Sequence, residues 1–232
     1  MKKYILIVVA VMLVCTLLAC GKNESTLPVS SAQAESKSAS SVSSSAPVSS
    51  VLQDAELEGS WQDNIYTNQY LGLLLTLPPN EGWTILPDDE KQQFLTMWSN
   101  IEFAWGLERA PGIAIERNFV DVVLSGGSTG IKSTVIIQHI GLLPQDMTEQ
   151  ECLDIMYDNI RQSTSVESEI EKDSFYTTEI GSETYLCFLV SSGGSEMFMA
   201  LHKTGDVYTL IVIEAGEGAD IADMLAWFEK IE

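Results

Sequence analysis

The carboxyl-terminal stretch 175-FYTTEIGSETYLCFLVSSGGSEMFMALHKTGDVYTLIVIEA-215 decides the fold. It divides into four strand-like runs, Phe175–Ile180, Glu183–Ser191, Glu196–Lys203 and Val207–Ala215. Short connections rich in glycine and serine separate the runs, and a Gly-Ser pair in a two-residue loop favours a type I′ or II′ hairpin turn. The pattern therefore predicts an antiparallel meander in which each strand pairs with the next.

Two of these strands are apolar at both odd- and even-numbered positions, over Tyr185–Val190 and Leu210–Ile213. Such strands are expected to be buried on both faces, so the sheet needs cover on each side. The predicted cover consists of three helices, which run from Asp88 or Asp89 to about Leu107, onward from a capping box at Thr148-Glu149-Gln150-Glu151, and from Asp220 to about Ile231. The sequence thus predicts an α+β domain, an antiparallel β-sheet with a C-terminal meander, flanked by about three helices.

Two further hairpins are predicted ahead of the meander. The first joins Leu73–Leu77 to 83–86 through a turn at Asn80-Glu81-Gly82. The second joins Phe119–Leu124 to Thr134–Ile140 through a loop rich in glycine and serine. These pairings place most of the β structure in sequential antiparallel neighbours.

The amino-terminal residues have the layout of a secretory signal. Lys2-Lys3 precede an apolar run, 4–19, that is shorter than the ~20 residues usual for a membrane span. Leu17-Leu18-Ala19-Cys20 resembles a bacterial lipobox, which implies that Cys20 is lipidated and becomes the mature amino terminus. A plain transmembrane anchor and a conventional signal peptidase site are the alternatives. The resemblance implies a signal peptide over 1–19 and a protein held on the extracytoplasmic face of the cell membrane.

A serine- and alanine-rich segment, 20–54, follows the lipobox and is interpreted as a disordered linker. The predicted globular domain, 55–232, holds 30 of the 33 acidic residues but 8 of the 12 basic residues, a formal net charge of −22. Nucleic acid is therefore not expected as a partner, because binding it requires lysine and arginine on the phosphates.

Aromatic and glycine positions near the start of the globular domain carry a second resemblance. The pattern Trp61…Tyr66-x-Asn68-x-Tyr70-Leu71-Gly72-Leu73…Pro78…Gly82-Trp83, with the meander and the closing helix, resembles uncharacterised lipoproteins of Gram-positive anaerobes whose domains are similar to the PsbP-like fold. The resemblance covers roughly 59–232 at the level of element order. It implies an accessory or assembly protein by analogy of fold, and it brings no functional residue with it.

Motifs for nucleophilic catalysis or metal binding are weak. Gly126-Gly127-Ser128-Thr129-Gly130 matches G-x-S-x-G, but a nucleophile elbow needs a helix after it, and a strand is predicted there. His139 and His202 lie at predicted strand ends without the spacing of a zinc site. Both are interpreted as ordinary polar residues.

The remaining candidates favour structural roles. Cys152 and Cys187 could pair outside the cytoplasm, although buried free thiols are the favoured interpretation. Acidic groups near 88–90, 167–173 and 214–223 do not fit a calcium loop and are interpreted as solvated surface. The aromatic residues Trp61, Tyr66, Tyr70, Phe94, Trp98 and Trp105 are expected to pack in the core, with a glycan, peptide or ligand surface as the alternative.

The sequence accordingly predicts no catalytic, cofactor-binding or metal residue. The expected function is a non-catalytic interaction module held at the membrane through Cys20, with an envelope protein or polymer as partner. A cell-envelope hydrolase with an unrecognised site and a small solute-binding lipoprotein are the alternatives, and the second is disfavoured because one domain of this size leaves no second lobe.

Lipidation at Cys20 is directly testable. Cys20→Ala is expected to abolish incorporation of labelled fatty acid and to leave an uncut or mis-sorted precursor, because the modified sulfur is absent. Metabolic labelling followed by mass spectrometry of the amino terminus measures both effects. Continued incorporation of label at the amino terminus of the variant would contradict the lipoprotein interpretation.

Overall fold

The computed structural model describes residues 57–79, 82–91, 106–107, 110–126, 133–143, 146–163, 171–172, 174–192, 195–216 and 218–232. All of them belong to one compact unit that spans 50–232. Within these residues the domain is α+β, with one four-stranded and one eight-stranded antiparallel sheet.

The larger sheet has the strand order β4-β5-β6-β11-β10-β9-β7, and β8 also pairs with β9. Its strands are β4 (Thr84–Ile85), β5 (Ala114–Gly126), β6 (Ser133–Leu143), β7 (Glu171–Lys172), β8 (Tyr176–Ile180), β9 (Glu183–Ser192), β10 (Ser195–Thr204) and β11 (Val207–Ala215). The predicted meander is confirmed, because β8 to β11 pair in sequence and antiparallel. The predicted second hairpin is also confirmed as β5 and β6, and both strands are longer than the apolar runs suggested.

The smaller sheet has the order β1-β2-β3-β12, built from β1 (Ser60–Gln62), β2 (Ile65–Asn68), β3 (Leu73–Thr76) and β12 (Phe228–Lys230). The predicted first hairpin is therefore wrong. The strand β3 pairs with β2 and β12, whereas β4 pairs with β5 in the other sheet. A tighter local turn joins β2 to β3, with Gly72 at a φ of 54° that suits glycine.

The predicted carboxyl-terminal helix is much shorter than expected. Asp220 caps it by accepting a hydrogen bond from the amide of Ala222 at 2.7 Å, and α2 (Ile221–Leu225) ends at Ala226. The chain then enters β12, where Phe228 lies opposite Leu75. Pairing with the open edge of β3 satisfies the backbone groups of these residues, so tertiary context overrides the local helical spacing.

Each face of the larger sheet has its own cover, and the predicted sheet between helices is confirmed in part, because a second sheet joins the helix on one face. One face packs against α1 (Glu149–Ser163), with Leu153 and Met156 buried there. The other packs against the smaller sheet and α2. Burial on both faces is confirmed for Leu210–Ile213 but only in part for β9, where Leu186 and Leu189 are half-buried.

The capping box is confirmed at the start of α1. Thr148 and Glu151 exchange hydrogen bonds, and the helix begins at Glu149. The predicted helix from Asp88 to Leu107 falls mostly outside the described residues, although 88–91 and 106–107 are helical.

Two turns join the sheets at one end of the domain. The hydroxyl of Ser182, in the β8–β9 turn, donates to the carbonyl of Leu71, in the β2–β3 turn, at 3.1 Å. A Cβ on the neighbouring Gly181 would lie 3.1 Å from the carbonyl oxygens of Leu71 and Gly72. The contact therefore requires a glycine at 181 for two reasons: a side chain would collide with the opposite turn, and the φ of 64° suits glycine.

Alanine at Gly181 tests this contact. Gly181→Ala is expected to lower the free energy of unfolding by about 1–2 kcal/mol for the left-handed backbone and by at least about 1 kcal/mol more for the crowded turn. Gly205→Ala is the matched control, since Gly205 has a φ of 62° and an added Cβ there meets no described atom within 4 Å. Urea unfolding measures both variants, and equal losses would contradict the proposed contact between the turns.

Candidate functional site

A groove lies between the amino-terminal half of α1 and the segment that leads into β5. Its volume is about 510 Å³, and it is open to solvent. Its lining residues are Pro111, Gly112, Ile113, Asp146, Met147, Glu151, Asp154 and Ile155. We call this surface the α1 groove.

The capping box fixes one wall of the α1 groove. The backbone amide of Thr148 donates to the Glu151 carboxylate at 2.9 Å, and the Thr148 hydroxyl donates to it at 2.7 Å. These bonds lower the pKa of Glu151, and the bond from the backbone amide has the larger effect. The interaction is therefore complete above the pKa that Glu151 has in the unfolded chain, and it is lost as the pH falls through the lower folded value.

A second set of hydrogen bonds holds Met147 in the groove. Its carbonyl accepts from the Tyr208 hydroxyl and, at 3.1 Å, from the Lys203 ammonium group. The backbone amide of Lys203 in turn donates to Glu149 at 2.8 Å. Strands β10 and β11 thus position the residue that precedes the cap, and hydrogen bonds tie this wall of the groove to the larger sheet.

The α1 groove combines an apolar floor with an acidic rim. Ile113, Met147 and Ile155 are half-buried against the core. Carboxylates line the same depression, with Asp146 and Glu151 exposed to solvent. Such a surface can hold an apolar side chain while it attracts positive charge around it.

A buried carboxylate, Asp121, organises a second polar cluster between the sheets. It is the extra residue of a bulge in β5, because Val120 lies opposite Gln138 and Val122 opposite Ile137. Its side chain is 2% exposed and accepts hydrogen bonds from the backbone amide of Gly59, the hydroxyl of Tyr66 and the side-chain amide of Asn68. We call these four residues the Asp121 centre. Burial, followed by the nearby charge of Asp121, raises the pKa of Tyr66, so Tyr66 stays a neutral donor.

His139 borders the Asp121 centre in an arrangement that resembles a catalytic triad. Its Nδ1 lies 3.1 Å from the hydroxyl of Thr209, and its Nε2 lies 3.7 Å from Asp121. Thr209 and His139 are directly opposite in β11 and β6, and each is 1% exposed. A triad needs a nucleophile that substrate can reach, so this geometry fits a buried polar cluster that joins β5, β6 and β11 of the larger sheet.

The other histidine, His202, lies near the surface. Its Nδ1 donates to the carbonyl of Thr184 at 2.9 Å, since a carbonyl can only accept. Its Nε2 is then 3.4 Å from a Glu183 carboxylate oxygen, and Glu149 lies 3.9 Å from Nδ1. The described residues contain no group of three or more ligands suited to a metal ion, so the two histidines are not brought together with acidic partners as a metal site.

The two domain cysteines are free and buried, which confirms the favoured interpretation. Cys152 packs on the α1 side of the larger sheet and Cys187 on the opposite side. Burial raises the pKa of Cys152 to about 12 and that of Cys187 to about 11. Neither is suited to act as a thiolate nucleophile.

The remaining candidate residues from the sequence differ in whether the structure describes them. Cys20, Ser128, Phe94, Trp98 and Trp105 lie outside the described residues. Gly126 ends β5 and Ser133 begins β6, so the G-x-S-x-G motif bridges two paired strands as predicted. Tyr66 is fully buried, and Trp61 and Tyr70 pack partly buried on the same core, which favours packing for all three.

Sequence reasoning missed both the α1 groove and the Asp121 centre. The groove has no motif of its own apart from the capping box in its wall. The Asp121 centre did leave a signal, a single carboxylate inside the apolar run Phe119–Leu124. A lone charge in a buried strand requires hydrogen-bond donors around it.

Comparison with known proteins gives no assignment, since neither a family model nor a curated protein matches the chain. Among the described helices, none has the length and apolar character needed to cross a membrane.

The Asp121 centre can be tested by removing one hydroxyl. Tyr66→Phe is expected to reduce the free energy of unfolding by about 1.5–3 kcal/mol, the range for a hydrogen bond to a charged group, because Asp121 loses a donor and Asn68 loses an acceptor. Tyr185→Phe is the matched control, because the buried Tyr185 hydroxyl has no hydrogen-bond partner among the described residues, and it should lower the free energy of unfolding far less. Equal effects in urea unfolding would show that the centre contributes nothing specific.

Proposed function

We propose that this chain is a membrane-anchored extracytoplasmic lipoprotein whose folded part acts as a non-catalytic interaction module. The lipobox at Leu17-Leu18-Ala19-Cys20 supports the anchor. The PsbP-like resemblance belongs to the same proposal, and the α+β architecture with its antiparallel meander supports it.

One observation carries the module proposal. The α1 groove is an accessible depression with apolar and charged walls, whereas the residues arranged most like catalytic machinery, Asp121, His139 and Thr209, are each at most 2% exposed. The accessible residues of the α1 groove are therefore suited to contact with a partner. The buried residues Asp121, His139 and Thr209 are suited to stabilising the fold.

Anchor and groove complement each other in this proposal. Two acyl chains hold a protein stably at a membrane. The formal charge of −22 on residues 55–232 repels an anionic lipid surface. A linker of the flexible-coil type would hold the domain roughly 30 Å above the surface, where a tethered partner meets it at raised effective concentration.

Site-specific photo-crosslinking in intact cells tests the module. A benzoylphenylalanine at Ile113, in the α1 groove, is expected to form a discrete protein adduct. The same residue at the exposed Tyr176, which does not line the groove, is the control and should form none. Adducts from Ile113 should decrease when Cys20→Ala removes the anchor.

Two substitutions separate the module from a hydrolase. Ser128→Ala and His202→Ala should each leave the Ile113 adduct unchanged, because an interaction module uses neither residue as a catalytic group and His202 does not line the groove. Loss of adduct or of cellular function in either variant, with an unchanged unfolding transition, would support the hydrolase instead. Absence of any adduct from Ile113 would contradict the module itself.

A further inference from the structure

We infer that the α1 groove binds a cationic protein segment in which lysine or arginine residues flank an aliphatic side chain. This inference rests on the proposed function and names the chemistry of the partner. It is independent of the buried Asp121 centre.

The rim of the groove sets the charge of the occupant. Asp146, Glu151 and Asp154 all line it, and Glu151 and Asp154 lie three residues apart on one face of α1. One cation contacts a lining residue: Lys203 donates to the carbonyl of Met147 and also lies 4.9 Å from the ring centre of Tyr208. Among the described residues, none of those that line the groove is basic, so the carboxylates of the lining attract positive charge.

The floor of the groove sets the apolar part of the occupant. Ile113, Met147 and Ile155 each keep one side on the core and remain half-buried. An aliphatic side chain placed between them removes apolar surface from water on both partners. Since the hydrogen bonds to Met147 and the capping box fix this region beforehand, binding requires little ordering of the groove.

The shape of the groove favours a segment of protein over a small molecule. Pro111, Gly112 and Asp146 are exposed, so the depression is shallow at its rim. Small-molecule sites usually bury most of their ligand, whereas a shallow groove with carboxylates in its lining suits an extended chain. A second copy of this domain is a poor occupant, because residues 55–232 carry a formal charge of −22.

Fluorescence anisotropy with a defined peptide tests the inference. The full-length protein in nonionic detergent is titrated against a fluorescein-labelled peptide of three Lys-Leu-Lys repeats. A peptide of three Lys-Ser-Lys repeats has the same charge without the aliphatic side chain. The leucine peptide is expected to bind at least about tenfold more tightly, the ratio that burial of one leucine provides.

Charge variants of the protein locate the binding. Asp146→Asn combined with Glu151→Gln removes two rim charges, and glutamine retains the capping box. This variant is expected to weaken the leucine peptide about fivefold, as two exposed ion pairs allow. The matched control combines Glu179→Gln with Asp223→Asn, two exposed acidic residues that do not line the groove, and should change binding less than twofold.

The outcomes separate this inference from the proposed function. Equal weakening by the rim and control variants, equal binding of the two peptides, or no binding of the leucine peptide would each overturn the cationic-segment inference. An adduct from Ile113 in cells together with any of these results would leave the interaction module standing and reject only this partner chemistry. Peptide binding that follows the expected ratios without a cellular adduct would support the groove chemistry and reject the module.

Discussion

The buried carboxylate of Asp121 is the constraint on which the joining of the two sheets depends. A carboxylate that is 2% exposed is costly unless donors surround it. The bulge in β5 turns Asp121 toward the smaller sheet, and the donors come from three separate positions, Gly59, Tyr66 and Asn68. The start of the described domain, β2 and β5 are thereby fixed relative to one another, and apolar packing alone would not specify that alignment so narrowly.

Local chemistry explains what the sequence predicted correctly. The meander β8 to β11 follows from a series of apolar runs that are separated by short turns, because each strand pairs with its immediate neighbour in the chain. The cap of α1 follows from Thr148 and Glu151 alone. Both features involve residues close in sequence, which is where propensity and spacing carry information.

Long-range pairing explains what the sequence did not predict. One of the two neighbours of β3 is β12, which looked like the end of a helix, and one of the two neighbours of β11 is β6. Nothing local in Leu73–Thr76 or Phe228–Lys230 specifies the other. The α1 groove arises in the same way, since Ile113 and Ile155 meet only after β5 and α1 have packed. For Asp121 the residue was visible in the sequence, but the identity of its three donors was not.

The closure of the smaller sheet by β12 has a consequence for the timing of folding. Leu73 pairs with Lys230, so β3 has one of its two neighbours only after the intervening chain has emerged. Contacts between residues so far apart in sequence form slowly, because the chain loses the entropy of loop closure before the contact contributes any favourable free energy. A chain that emerges amino end first would therefore remain incompletely folded until its last residues are free to pair. Its exposure to proteases and chaperones during that interval would depend on how soon Phe228–Lys230 arrive.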